Sequence, residues 1–222
     1  MVSARGSAGG IVIGWNSAIV SAKLLSWETF SLTVEFCSKR NNLIWRCTSV
    51  YGPNARNLKH TFWDELRRSV GPSNVPWIIR GDFNSIFDTG DKLFGPPNLE
   101  DIRMAKSFIQ DLELIEPSLL GRRYSWTNGQ TDPIWLKLAR FVVNGACANL
   151  FPRMLQNSLP RLGSDHVPIR LELGVHLSNP RPFRYELAWE TTDGFRELVS
   201  QWWMEFSPHG CGHLLWPKRC LG

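Results

Sequence analysis

Four short clusters in this sequence carry side chains able to act on a phosphate or a water. Gly81-Asp82-Phe83-Asn84 follows the apolar run Trp77-Ile78-Ile79. An aspartate can take a proton from a water or hydroxyl, and a nearby asparagine amide can donate to a phosphate or carbonyl oxygen. Two residues apart in an extended segment, Asp82 and Asn84 project from one face. Ser164-Asp165-His166 adds an imidazole that can act as a base or bind a phosphate oxygen, beside a carboxylate able to hold a metal or orient a water. Tyr51-Gly52-Pro53-Asn54 and Tyr124-Ser125-Trp126-Thr127-Asn128 complete the series. Each cluster also has a plainer reading: Gly, Asp and Asn are ordinary turn formers, and a lone loop histidine usually has a structural partner.

Strands must present these clusters. Residues 11–15, 24–27, 31–37 and 44–51 read as strands, and Asn41-Asn42 as a hairpin turn, so the first fifty residues are mostly antiparallel β. The alternation Ser31-Leu32-Thr33-Val34-Glu35-Phe36 predicts one wet face. Residues 77–79 suit a strand covered on both faces. A helix over 57–70, capped by Asn57, presents Phe62, Leu66 and Val70, with Gly71-Pro72 as its stop. A second helix, capped by Asp101, buries Ile102, Ala105, Phe108, Ile109 and Leu112. Further strands are expected over 124–129, 138–143 and 167–173. Each of the four polar clusters then falls at the end of a predicted strand. Residues 179–182 read as a linker, and residues 195–206 as a helix with Leu198 and Trp202 on one face. The chain thus divides into a domain over 1–175 and a connector, helix and irregular tail over 176–222.

Composition narrows the class. The 222 residues, 43% hydrophobic, suffice for one domain with a core, and the formal net charge is +5. From His176 onward five Lys/Arg balance five Asp/Glu, so the basic excess lies in the first 175 residues. That suits a polyanionic partner. The five cysteines, Cys37, Cys47, Cys147, Cys211 and Cys220, form no CxxC pair and read as free thiols in a reducing compartment. His209, Cys211, His213 and Cys220 fit no usual zinc spacing. No apolar run reaches the roughly 18 residues of a membrane span, and the first ten residues lack the apolar stretch of a secretory signal.

The order and spacing of the four clusters resemble the endonuclease/exonuclease/phosphatase superfamily, the deoxyribonuclease I-like fold. The nearest likeness is to the endonuclease domain of plant LINE-type non-LTR retrotransposons, over about residues 9–206. Gly9-Gly10-Ile11 and Gly121-Arg122-Arg123-Tyr124-Ser125-Trp126 fit that pattern too, and Arg181-Pro182-Phe183-Arg184-Tyr185-Glu186 resembles the connector to a reverse transcriptase. The resemblance implies an α+β, four-layer α/β/β/α sandwich with its site where loops converge at one end. It implies Mg²⁺-dependent phosphodiester hydrolysis and DNA as partner. Asp82 would activate or orient the water, Asn84 hold a phosphate oxygen with support from Tyr51, and His166 bind or protonate the phosphate. Asp165 would be a metal ligand, Trp126 and Asn128 would line the DNA groove, and Arg123 would contact phosphate. An intracellular, nuclear location follows from the same resemblance.

Two departures from the pattern predict weakened chemistry. The family's first strands, which end in a Gln-Glu carrying the principal metal ligand, have no counterpart; the sequence contains no Gln-Glu dipeptide. The expectation is an amino-terminally truncated fold with exposed core surface. In Leu138-Ala139-Arg140-Phe141 the family carries an aspartate where Ala139 stands. That aspartate orients the histidine, and loss of such a carboxylate lowers turnover about 10⁴-fold in a serine-protease triad. The sequence therefore reads as a degenerate copy with weak or lost hydrolysis, or as a non-catalytic nucleic-acid-binding fragment.

Overall fold

The computed structural model describes residues 10–161, 163–174 and 194–205. The chain forms two compact units, Met1–His176 and Leu177–Gly222. In chain order the first unit contains β1 (Val20–Trp27), β2 (Ser31–Ser38), β3 (Ile44–Tyr51), α1 (Lys59–Arg68), β4 (Trp77–Asp82), β5 (Lys92–Leu93), α2 (Leu99–Asp111) and β6 (Leu119–Leu120). It continues with β7 (Trp126–Thr127), β8 (Trp135–Leu136), β9 (Ala139–Val143), α3 (Gly145–Leu150), β10 (Leu155–Ser158) and β11 (Ile169–Glu172). The second contains α4 (Phe195–Glu205).

The frame is a five-stranded sheet in the order β1-β2-β3-β4-β9. The first three strands form an antiparallel meander, with the expected turn between β2 and β3. From β3 the chain crosses over through α1 to β4, which lies parallel to β3, and β9 closes the sheet antiparallel to β4. Alternate residues of β4 feed two cores. Trp77, Ile79 and the following Phe83 join Val142, Phe62, Trp63, Leu66, Ala105 and Phe108 under the helices. Ile78 faces the other way, packing with Phe141, Val143, Cys147 of α3 and Ile169 and Leu171 of β11. This two-sided burial is what the continuous apolar run of β4 requires. A smaller sheet, β11-β10-β6, supplies the second layer, and β5-β8-β7 forms a third short sheet. The result is an α+β sandwich.

Several expectations are corrected. Residues 11–15 make a single bridge at Ile11; Val12 and Trp15 are exposed. The supposed wet face of β2 is covered: Ser31 and Thr33 are buried. Their hydroxyls are satisfied internally, Ser31 Oγ on Glu65 at 2.5 Å and Thr33 Oγ1 paired with Thr48 Oγ1 at 2.9 Å. A polar alternation marks a wet face only when its polar groups lack partners within the protein. Asn57 caps nothing; it lies in a 3-10 turn, Arg56–Leu58, and α1 begins at Lys59 without a side-chain cap. Val70 lies beyond the end of α1 and is exposed. Asn98, not Asp101, caps α2, accepting from the N–H groups of Glu100 and Asp101.

The predicted linker at 179–182, the connector-like run at 181–186 and the tail carrying Cys211 and Cys220 lie outside the described residues. Cys37, Cys47 and Cys147 are free thiols. No helix among the described residues is long and apolar enough to cross a membrane.

Candidate active site

Two glycines let β3 and β4 end side by side. A Cβ on Gly81, whose φ is +134°, would lie 2.1 Å from the Val50 carbonyl oxygen, and a Cβ on Gly52 would lie 2.1 Å from the Phe83 carbonyl oxygen. No other residue fits either position. Tyr51 thereby comes into register with Asp82. Beneath Asp82 opens a cavity of about 290 Å³, lined among others by Tyr51, Ser49 and Arg80.

Asp82 and Asn84 do not share an open face. The chain leaves the extended conformation at Asn84, whose φ is +48°, and Asp82 Oδ1 accepts its backbone N–H at 2.9 Å. The Asn84 side-chain amide donates to the Gly52 carbonyl at 2.7 Å, so one of its polar ends fastens the turn to the 52–54 loop. Lys59, the first residue of α1, is buried behind this turn. Its ammonium donates to the Asn84 carbonyl and, at 2.8 Å, to Ser85 Oγ. Ser85 Oγ in turn donates to Asp101 at 3.0 Å, and the Asp101 carboxylate is 3.6 Å from Lys59 Nζ. Sequence reasoning missed Lys59 and Ser85, and assigned Asp101 only to a cap. The available signal was phase: Lys59 lies three residues before Phe62 and seven before Leu66, on the apolar stripe of the helix.

His166 arrives from the other side. Its cluster precedes β11 rather than ending a strand. His166 bridges to Trp126, the Thr127 N–H donates to the Asp165 carbonyl at 3.2 Å, and the Val167 N–H donates to the Ser125 carbonyl at 2.7 Å. Buried Ser125 links this segment to β9, its hydroxyl accepting from the Leu138 and Ala139 N–H groups, both at 2.8 Å. His166 Nε2 ends 3.9 Å from Asp82 Oδ2, short of a direct hydrogen bond. Ala139 is the β9 residue paired with Asp82, so no carboxylate stands at the position beside the Asp82–His166 pair.

The two aspartates are driven apart in acidity. Burial raises the Asp82 pKa, as does the Asp165 charge, against the Asn84 N–H, His166 and Lys59, which lower it. The Trp126 Nε1–H, donating to Asp165 Oδ2 at 2.9 Å, leads the effects that lower the Asp165 pKa. A carboxylate made more basic by burial is suited to accept a proton, while the more acidic one stays ionised. Asp82 and His166 can together accept a proton from a water and contact a phosphate oxygen.

The structure thus gathers Tyr51, Asp82, Asn84, Asp165 and His166 at one place. It does not gather Asn128 or Arg123. Asn128 is spent on its own loop, accepting from the Ile134 N–H at 2.9 Å and donating to Gln130 at 3.0 Å. Arg123 lines a separate cavity with Asp88, Gly90, Asp91 and Lys137. Trp126 reaches the site through its bond to Asp165, with its ring packed against Ile86, Ile102 and Leu138. A resident Mg²⁺ does not fit the side chains present. Among the described residues no three His, Cys, Asp or Glu converge on one point, and Asp165, exposed, is engaged by Trp126.

No family model and no curated protein matches the chain by sequence. Solved structures do match by fold. The endonuclease domain of TRAS1, a telomere-specific non-LTR retrotransposon, superposes with a TM-score of 0.54 over 70% of each chain at 11% identity. The fold is that of the endonuclease/exonuclease/phosphatase proteins. An AP endonuclease from Archaeoglobus fulgidus aligns over 64% of this chain and 65% of its own, at 13% identity and a TM-score of 0.49. The beta toxin of Staphylococcus aureus aligns at 12% identity and a TM-score of 0.43; the chain spans 56% of its length. Of these three, TRAS1 carries the fold assignment.

Proposed function

We propose that this chain is an endonuclease-fold domain of retrotransposon origin, built around a phosphodiester site whose hydrolysis is weak or lost. The observation that carries the reading is Asp82 and His166 meeting at 3.9 Å at the end of β4, with Ala139 directly beside them. A proton acceptor and a phosphate-binding imidazole remain, while the carboxylate that would orient the imidazole is replaced by a methyl group. DNA is the proposed partner, and Mg²⁺ the ion that substrate phosphates would have to help bind. Action on DNA would place the protein in the nucleus.

A nicking assay on supercoiled and abasic-site DNA, with and without Mg²⁺, tests this. The expected result is slow or absent cleavage by the parent and none by His166→Ala. Cleavage should rise with Ala139→Asp, with unchanged melting temperatures. Robust parental cleavage that survives His166→Ala would sink the reading. The second reading, binding without cutting, is favoured by the basic excess of the first 175 residues. It requires affinity for DNA that falls steeply with salt.

A further inference from the structure

Lys59 stands at the first position of α1, with no acidic residue in that turn. A cation there opposes the helix dipole, whose positive end it shares. Its side chain is only 5% exposed, so the ammonium has also given up its water, and burial indeed lowers its pKa. Lys59 is therefore unfavourable to its own helix in two ways. What the placement achieves lies elsewhere. Two of its donors go to consecutive residues of the strap after β4, the Asn84 carbonyl and Ser85 Oγ. The third direction faces Asp101 of α2, itself bonded to Ser85. Asn84 holds a left-handed backbone that non-glycine residues adopt only at a cost, and Lys59 pins the carbonyl of that residue. The same residue fixes Asp82 through its N–H and Gly52 through its side chain.

We propose that Lys59 is the positioning residue of the site: its buried ammonium locks the Asn84 turn and so aims Asp82 at His166, with Asp101 as the counter-charge that makes the buried cation tolerable. The catalytic part of this rests on the nuclease reading; the conformational part does not. Asp101 sits in the first turn of α2, where its charge agrees with the helix dipole. The favourable charge of one helix thus offsets the unfavourable charge of the other, and the strap lies between them. A lysine that merely clamped α1 to α2 would need Asp101 alone.

The test uses the full chain, Lys59→Met, and the double variant Lys59→Met/Asp101→Asn, which leaves no unpaired buried charge if the single variant fails to fold. Amide hydrogen exchange is read at Asn84 and, as an internal reference, at Ile79 in the middle of β4. The expected result is Asn84 exchange accelerated about tenfold more than that of Ile79, whose own change reports any loss of global stability. Where the parent cleaves DNA, kcat should fall roughly 100-fold with KM within about twofold, the signature of misplaced groups rather than lost binding. Asn84 exchange equal to the parent's, or accelerated no more than that of Ile79, overturns the proposal in favour of a plain interhelical clamp. A parent that never cleaves is the lost-hydrolysis form of the proposed function, and the exchange data then decide the role of Lys59 by themselves.

Discussion

The two halves of the candidate site are built differently. The Asp82–Ser85 strap is embedded: Phe83 and Ser85 are fully buried, and the strap is tied to the 52–54 loop, α1 and α2 by Gly52, Lys59 and Asp101. The His166 cluster rides on the surface. Ser164 and Asp165 are exposed, and the His166 side chain is 37% exposed. Its N–H is held by Ser164 Oγ, a neighbour on the same loop. The groups that depend on buried charge geometry are fixed by the core, whereas the imidazole sits on a segment that local opening can displace. Breaking the embedded half should therefore cost global stability, and breaking the exposed half should not.

The largest effect is expected at Trp63. Its ring stacks on Phe83 at 6.1 Å and packs on Phe108 at 5.0 Å, directly beneath the strap. Trp63→Ala should lower unfolding free energy by about 3–5 kcal/mol, read from urea denaturation. A loss as small as that of an exposed-loop variant would erase the proposed contrast.

This contrast also explains how much was legible in the sequence. The β3 boundaries, the central strand and the apolar positions Phe62, Leu66, Ile102, Ala105 and Phe108 all follow from period and stop signals, because burial of a face writes itself into spacing. What stayed hidden depends on partners far along the chain. Asp101 looks like a cap because caps and buried counter-ions use the same residue types. Only Lys59, 42 positions earlier, reveals which it is. β10, Leu-Gln-Asn-Ser, has no alternation because buried Gln156 bonds the Phe141 N–H and the Pro117 carbonyl instead of facing water. Asn84 offered its amide to a phosphate in the sequence reading; in the fold one of its two N–H donors goes to the Gly52 carbonyl. The fold was legible through its apolar faces. The site was legible as a set of residues but not as a bonding pattern.

An intermediate effect is expected at Glu65, the buried acid of the embedded half. Its carboxylate accepts from Ser31 Oγ and from the Phe30 N–H at 3.0 Å. Glu65→Ala strands both donors and should cost about 1–3 kcal/mol. Burial raises the Glu65 pKa despite those bonds, so the folded state binds a proton that the unfolded state has already released. Stability contributed here is full below the ordinary carboxylate range and falls as pH rises through the folded value. Glu65→Gln keeps an acceptor and should flatten that decline. A denaturation series across acid to neutral pH checks it, and an unchanged slope would count against a titrating Glu65.

The smallest effect belongs to Lys106 and Asp88, an ion pair with the chemistry of Lys59 and Asp101 but none of their burial. Lys106 Nζ lies 2.9 Å from Asp88 Oδ2, with both side chains at least half exposed. The Lys106 bond leads the effects that lower the Asp88 pKa to about 2. The sign is opposite to that of Glu65: this stabilisation is complete above the ordinary value of 3.8 and is lost as pH falls toward about 2. Water and salt screen the pair, so Lys106→Met should cost roughly 0.5 kcal/mol or less at neutral pH, and the difference should vanish near pH 2. A tighter pair by distance is thus expected to matter less than the 3.6 Å contact of Lys59 with Asp101, because removing one partner of the buried pair leaves the other charge without water. If Lys106→Met and Lys59→Met destabilised the protein equally, burial would not be what gives the Lys59–Asp101 pair its weight.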